Sequence, residues 1–374
     1  MQRVFSVQRD SLGNFGLYIL NVLETVGAMI EEARIPQTGE DIIYILQENT
    51  AKKVWTFAGG KGGSGKTAVT ANIGVALATM GYRIILVDAD LGGANLHTIL
   101  NIKRPKLTLS DFLNRRVSNL TDILLDTPSE NLRLISGGSD MVGLSNISFQ
   151  TKTRLQKHLE LLESDYILID LGAGTSFNTL DFFIISTEGF IISNPEPTAK
   201  INAYSFLKSV VYRIIEREFK RGTRINDLIV NEGRNNKAGS LSIPELIRRI
   251  GTVEPVSAKR IIDLLIQYRP KLIMNKLRRF SQEKEGAQLA SLSAKYLGVA
   301  MEYLGMVRDD SHVIDSSEQM MPFVLQFPGC GASKDIYTIV GKLGVHDTLE
   351  RFNTEKTTKL KRYIKNERRY WYQQ

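Results

Sequence analysis

The chain has 374 residues, 43% of them hydrophobic and 24% charged, a balance that excludes a disordered or fibrous polymer and provides apolar surface for one large or two ordinary domains. No apolar run approaches the ~18–20 residues needed to cross a bilayer, and one cysteine, Cys330, excludes a disulfide framework and any metal or iron–sulfur site built from several cysteines of one chain. A net charge of +8 favours nucleic acid, anionic lipid or an acidic partner only where it is concentrated.

Residues 1–53 read as a separate small module. Phe15, Leu17, Ile19, Leu20, Leu23, Val26 and Ile30 form an apolar pattern that predicts one helix, broken by "IPQTGE" before a short "DIIYIL" element. The opening residues carry no secretory cleavage pattern, and with the lone cysteine this leads us to expect a cytoplasmic protein. From residue 54 the pattern changes. "KKVWTFAGG" predicts a buried strand, "KTAVTANIGVALATMG" a helix closed by Gly81, and "YRIILVDAD" a second buried strand. "NLRLISGG", "DYILIDLGAG", "GFIISNPEP" and "PKLIMNKLR" predict four more. Short apolar strands alternating with helices indicate an α/β fold with a doubly wound, mainly parallel sheet and helices on both faces. Residues 208–269 read as a helical, charged insertion into a domain spanning 54–345, and 346–374 as a basic, aromatic tail.

Gly60, Gly65, Lys66 and Thr67 satisfy G-x-x-x-x-G-K-[ST] between a strand and a helix. Glycines let consecutive backbone N–H groups face phosphates, the lysine neutralises β/γ oxygens, and the threonine hydroxyl binds Mg²⁺. The loop from Gly60 through Lys61, Gly62, Gly63, Ser64, Gly65, Lys66 and Thr67 to Ala68 is therefore the candidate nucleotide site. Two strand ends supply carboxylates, Asp88 and Asp90 in "VDAD" and Asp170 in "YILID". A carboxylate at the carboxyl end of a parallel strand can hold Mg²⁺ directly or through water. Asp170 reads as the metal carboxylate with Asp88 supporting it, Gly172 as the start of a γ-phosphate-sensing turn, and Asp90 as the residue that orients the attacking water.

The set "GKGGSGKT", "VDADLGGANL", "IDLGAG" and "NPEPT" resembles the MinD/ParA family of deviant Walker-A ATPases, and "PEPTAKINAYSFLK" is most similar to its FlhG branch (also FleN or YlxH), regulators of flagellar number and placement. The resemblance covers about 54–207 and 270–345. It implies a P-loop fold, ATP and Mg²⁺, slow partner-stimulated hydrolysis, and an ATP-dependent homodimer. It also implies that Lys61, the extra lysine of K-G-G-x-G-K-T, reaches the nucleotide of the opposite subunit and joins Lys66 and Asp90 in catalysis, as an arginine finger would. "SVQRDSLGNFG" departs from the D-Q-A-x-x-L motif by which that branch stimulates a GTPase partner.

Guanine recognition would need N-K-x-D, but "NKLR" has arginine in the last position. Asn275 resembles the family's adenine-contacting asparagine, Asn231 is a rival for that role, and "YLGMVRDD" resembles a loop beside the base with Arg308 where proline is common. Residues 355–374 hold seven Lys/Arg and two Asp/Glu with interleaved aromatics. They read as a contact for an anionic membrane surface, as a solvated or protein-packed tail, or as a nucleic-acid contact. His97 and His158 lack metal-ligand spacing and read as structural; Met320 and Met321 beside Pro322 are expected to pack a turn. Two functions emerge: a dimerising regulatory ATPase, attached to flagellar assembly or a polar-targeting factor, and a DNA-partitioning ATPase of the ParA type, whose binding would depend strongly on salt. Redox relatives need paired cysteines, which a lone Cys330 does not provide.

Overall fold

The computed structural model describes residues 53–90, 93–103, 105–138, 147–220, 222–234 and 242–343. The expectations for residues 1–52 and for the tail lie outside these. The chain divides into two compact units. The larger holds an eight-stranded sheet built from β1 (Lys53–Ala58), β2 (Ile84–Ala89), β3 (Leu124–Asp126), β4 (Leu132–Ile135), β5 (Tyr166–Leu171), β6 (Glu188–Ser193), β7 (Lys271–Leu277) and β8 (Glu302–Arg308). Their order is β3-β4-β2-β5-β1-β6-β7-β8, and every pair is parallel except β3 with β4. The predicted doubly wound sheet is therefore present. Two strands escaped the sequence reading. β3 is a three-residue edge strand, too short to show a period. β8 is the segment expected to be a loop; it has glycine at its centre (Gly305, φ 147).

The central strands read as continuous apolar runs because both faces are covered. β2 and β5 are buried along their whole lengths. Trp55 packs against Tyr166 at 4.7 Å and Phe57 stacks on Phe190 at 4.6 Å, tying β1 to both its neighbours. Offset and edge-on aromatic pairs add roughly 0.5–1.5 kcal/mol each beyond their buried area.

In chain order the helices are α1 (Lys66–Thr79), α2 (Leu96–Ile99), α3 (Leu109–Leu113), α4 (Phe149–Leu161), α5 (Phe177–Ile184), α6 (Pro197–Glu218), α7 (Arg224–Arg234), α8 (Ile243–Val253), α9 (Pro255–Gln267), α10 (Glu283–Leu297), α11 (Ser311–Glu318), α12 (Phe323–Gln326) and α13 (Gly331–Lys342). α1 is buried nearly all round, which is why its sequence is apolar on every side. Gly74 lets it approach β2, since a Cβ there would lie 2.9 Å from Leu86 Cδ2. On its other side Asn72 Oδ1 accepts a hydrogen bond from the Val324 N–H at 3.0 Å, fastening α12. α1 ends where Gly81 turns left-handed at φ 95.

The described residues of the smaller unit are 207–220, 222–234, 242–269 and 288–301. It is helical, as expected for 208–269, but it begins within α6 rather than at a break, and it includes the second half of α10. α8 and α9 meet through the buried faces Ile243, Leu246, Ile247, Ile250 and Ala258, Ile261, Ile262, Leu265. Met320 and Met321 do not pack their turn. They are 45% and 38% exposed, and Met320 is left-handed at φ 51. His158 packs edge-on against Phe112 at 5.0 Å, a structural contact. Cys330 caps α13, its sulfur accepting from the Ser333 N–H at 3.5 Å. No described helix is long and apolar enough to cross a membrane.

Candidate nucleotide site

Strand order decides where the site forms. β1 ends at the glycine loop, and its neighbour β5 lies beside β2, so the carboxyl ends of all three converge. The register sets Asp88 directly opposite Asp170 and Phe57 beside Asp170. The loop then turns into α1 through Gly63 and Gly65, left-handed at φ 87 and 80. Such backbone is open to glycine at little steric cost. Gly60 is needed for a different reason. A Cβ there would fall 2.1 Å from the backbone of Asn202 on α6, so the loop could not pass.

Lys66 opens α1 and points back into the loop. It is 7% exposed, and its Nζ donates to Asp170 Oδ1 at 2.6 Å. Asp170 is 1% exposed and its other oxygen, Oδ2, is buried with no hydrogen bond. Burial pushes the Asp170 carboxyl above its ordinary value, while Lys66 and the Thr67 hydroxyl pull it down. Asp88 is fully buried and is pushed up to about 7, first by burial and then by the charge of Asp170. Two carboxyls side by side, a single ammonium and an orphaned oxygen make a site short of positive charge.

That deficit fits Mg²⁺. Asp170, with its unsatisfied oxygen, and the Thr67 hydroxyl would hold the ion, with Asp88 in support, and the ion would supply charge neutralisation between phosphate oxygens. Among the described residues no group of three or more His, Cys, Asp or Glu could hold a metal; a site completed by phosphate oxygens needs no such cage.

Asp88 also organises the segment after β2. Its Oδ1 accepts from the Asp90 N–H at 3.1 Å and its Oδ2 from the Leu96 N–H at 3.0 Å, which starts α2. Asp90 is thereby turned toward the loop after β5. A Cβ on Gly172 would lie 3.2 Å from Asp90 Oδ1, so the water-orienting and γ-phosphate-sensing candidates are neighbours. Lys61, Gly62 and Gly63 are exposed, and neither of these two glycines has an atom within 4 Å of where a Cβ would sit. Lys61 makes no ion pair among the described residues, so the structure gives it no partner within its own loop.

The residues expected near the base distribute differently. Asn275 on β7 donates from Nδ2 to the Ser64 carbonyl at 2.8 Å. It braces the phosphate loop, leaving its carbonyl and one N–H for an adenine edge. Asn231 lies exposed on α7 in the smaller unit, on a helix rather than at a strand end. Arg308 ends β8 and grips Asp335 through its side chain at 2.7 and 2.8 Å; its backbone N–H donates to the same carboxylate at 2.9 Å, a bond proline could not make. Lys276 was missed by sequence reasoning. Its Nζ donates to the Gly63 carbonyl at 2.9 Å. It is left-handed at φ 57, and a single lysine near the end of an apolar strand gives no signal of that.

Known proteins resemble this chain in sequence and in fold. Residues 55–323 match the family described as CbiA: CobQ/CobB/MinD/ParA nucleotide binding domain. The antiactivator FleN of Pseudomonas aeruginosa is 36% identical over 160 residues, 42% of this chain and 55% of that one. The flagellum site-determining protein YlxH of Helicobacter pylori is 34% identical over 151 residues, 40% of this chain and 50% of that one. The chain thus spans about half the length of these curated relatives. The septum site-determining protein MinD of Pyrococcus horikoshii, solved with Mg-ADP, shares the fold with TM-score 0.54 and 20% identity, over 80% of this chain and 98% of that one. With its loop lysine, paired strand-end aspartates and parallel sheet in place, the chain belongs to the CobQ/CobB/MinD/ParA nucleotide-binding domain family.

Proposed function

We propose that the protein is an ATP- and Mg²⁺-dependent switch: ATP closes a homodimer, slow hydrolysis reopens it, and a protein partner sets the rate. The observation that carries this reading is the buried Lys66–Asp170–Asp88 constellation beside an exposed Lys61. Two buried carboxyls with one unsatisfied oxygen suit a cation, and Lys66 at the mouth of the glycine loop suits a polyphosphate. Lys61, without a partner in its own loop, is free to meet the nucleotide of a second copy, where phosphates facing each other would otherwise repel. Asp90 orients the attacking water and takes up its proton as the bond to the γ-phosphate breaks, while backbone N–H groups after Gly172 register the γ-phosphate. The name of YlxH, a flagellum site-determining protein, favours control of flagellar placement, and that of FleN, an antiactivator, favours a regulatory role. The seven basic residues of 355–374 suit an anionic membrane surface, at ~1 kcal/mol each near the headgroups.

Lys61→Ala is the test. Sedimentation with Mg-ATP should show a dimer for the unaltered chain and a monomer for the variant, whose own ATP affinity changes by no more than about threefold. An undiminished dimer would remove the contribution in trans.

A further inference from the structure

β7 does more at its carboxyl end than pass beneath the site. Met274 pairs with Met306 and Leu277 with Arg308 on β8, so β7 carries one extra residue between these pairs. In a regular strand neighbouring side chains point to opposite faces. Here the bulge, with Lys276 left-handed at φ 57, lets Asn275 and Lys276 reach the same loop. Asn275 Nδ2 donates to the Ser64 carbonyl at 2.8 Å and Lys276 Nζ to the Gly63 carbonyl at 2.9 Å. The approach is close: a Cβ on Gly65 would lie 2.2 Å from Asn275 Nδ2, so this glycine gives room to the brace as well as to the turn.

Peptide geometry turns these two bonds into control of the loop amides. Among the described residues no peptide bond is cis, and in a planar trans peptide the C=O and the following N–H point in opposite directions. Holding the Gly63 carbonyl toward β7 turns the Ser64 N–H away from β7; holding the Ser64 carbonyl does the same for the Gly65 N–H. These N–H groups belong to the phosphate cradle.

We propose that Lys276, with Asn275, is a positioning residue for the polyphosphate of the bound nucleotide: it orients the loop amides before the ligand arrives, so that their ordering is not charged against binding. This rests on the nucleotide reading above. It also gives β7 a reason to carry a lysine in a conformation that glycine or asparagine would adopt more readily.

The test uses the full chain. Backbone order parameters of Ser64 and Gly65 are measured without nucleotide, and Mg-ATP affinity separately, for Lys276→Met, Lys276→Arg, Lys276→Gly and Asn275→Ala. The unaltered loop should be rigid, with S² about 0.85, and Lys276→Met should fall below about 0.6, with Mg-ATP binding weakened about five- to tenfold. Lys276→Arg, which keeps a donor, should restore both. Lys276→Gly, which relieves the backbone but removes the donor, should behave like Lys276→Met; a wild-type result for it would make the backbone shape, not the donor, decisive and overturn the proposal. Weaker Mg-ATP binding with unchanged order parameters would make Lys276 a direct phosphate contact and overturn it too. If the unaltered protein fails to bind Mg-ATP while the order parameters respond as stated, the nucleotide reading falls and the brace stands.

Discussion

Lys66→Ala is expected to abolish Mg-ATP binding at concentrations that saturate the unaltered protein. The lysine sits almost wholly buried at 2.6 Å from Asp170. Removing one partner of a buried charge pair costs roughly 3–5 kcal/mol, and phosphate oxygens arriving in the same place would meet two carboxyls and no ammonium. That cost falls on stability. For binding, a lost charge-assisted hydrogen bond to phosphate is worth about 1.5–3 kcal/mol and the unneutralised carboxyls add to it, so at 1.4 kcal/mol per tenfold about a hundredfold loss of affinity or more is expected. Asp170 would at the same time lose its counter-ion, and its already raised pKa would rise further. The variant should therefore melt at a lower temperature yet keep its fold, because a protonated Asp170 caps the penalty. Calorimetric titration on material verified by circular dichroism reads both effects. Undiminished affinity in a folded variant would mean the nucleotide is not held here.

Asp90→Ala should separate binding from chemistry. Its carboxylate lies against Gly172 and is oriented by the bond from its own N–H to Asp88, but Asp90 is neither Lys66's partner nor fully buried. Affinity for ATP should change by no more than about threefold. Turnover should fall by about a hundredfold or more, the usual size of a lost general base, and the ATP-bound dimer should persist correspondingly longer. Phosphate release under single-turnover conditions measures the first effect, and dimer lifetime the second. Wild-type turnover would remove Asp90 from the reaction and leave it the role of shaping the loop before α2.

What the sequence made legible was the part in which local pattern and chemistry coincide. The runs "VWTF", "IILVDA" and "YILIDL" are apolar because both faces of the sheet are covered, and each ends in a residue type whose chemistry is its own signal: glycines and Lys66, Asp88, Asp170. Register then did what no local pattern could, setting Asp88 opposite Asp170. The errors share a cause. β8 contains a glycine and ends in charges that tertiary partners satisfy, Asp335 for Arg308, so its segment looked like a loop. For Asn275 the local pattern offers a base contact but cannot show the second use, in which one amide N–H braces the Ser64 carbonyl. Lys276 had no signal at all, because a left-handed lysine is imposed by packing between strand and loop and not by its neighbours in sequence.

The most direct measurement is a titration of the unaltered protein with ATP, once with Mg²⁺ and once with EDTA. Saturation at one nucleotide per chain, with affinity at least about tenfold weaker in EDTA, is the predicted result, since Asp170 and Asp88 leave the site in need of a cation. Absence of binding, or binding indifferent to both Mg²⁺ and the loss of Lys66, would contradict the placement of a triphosphate at the ends of β1, β2 and β5.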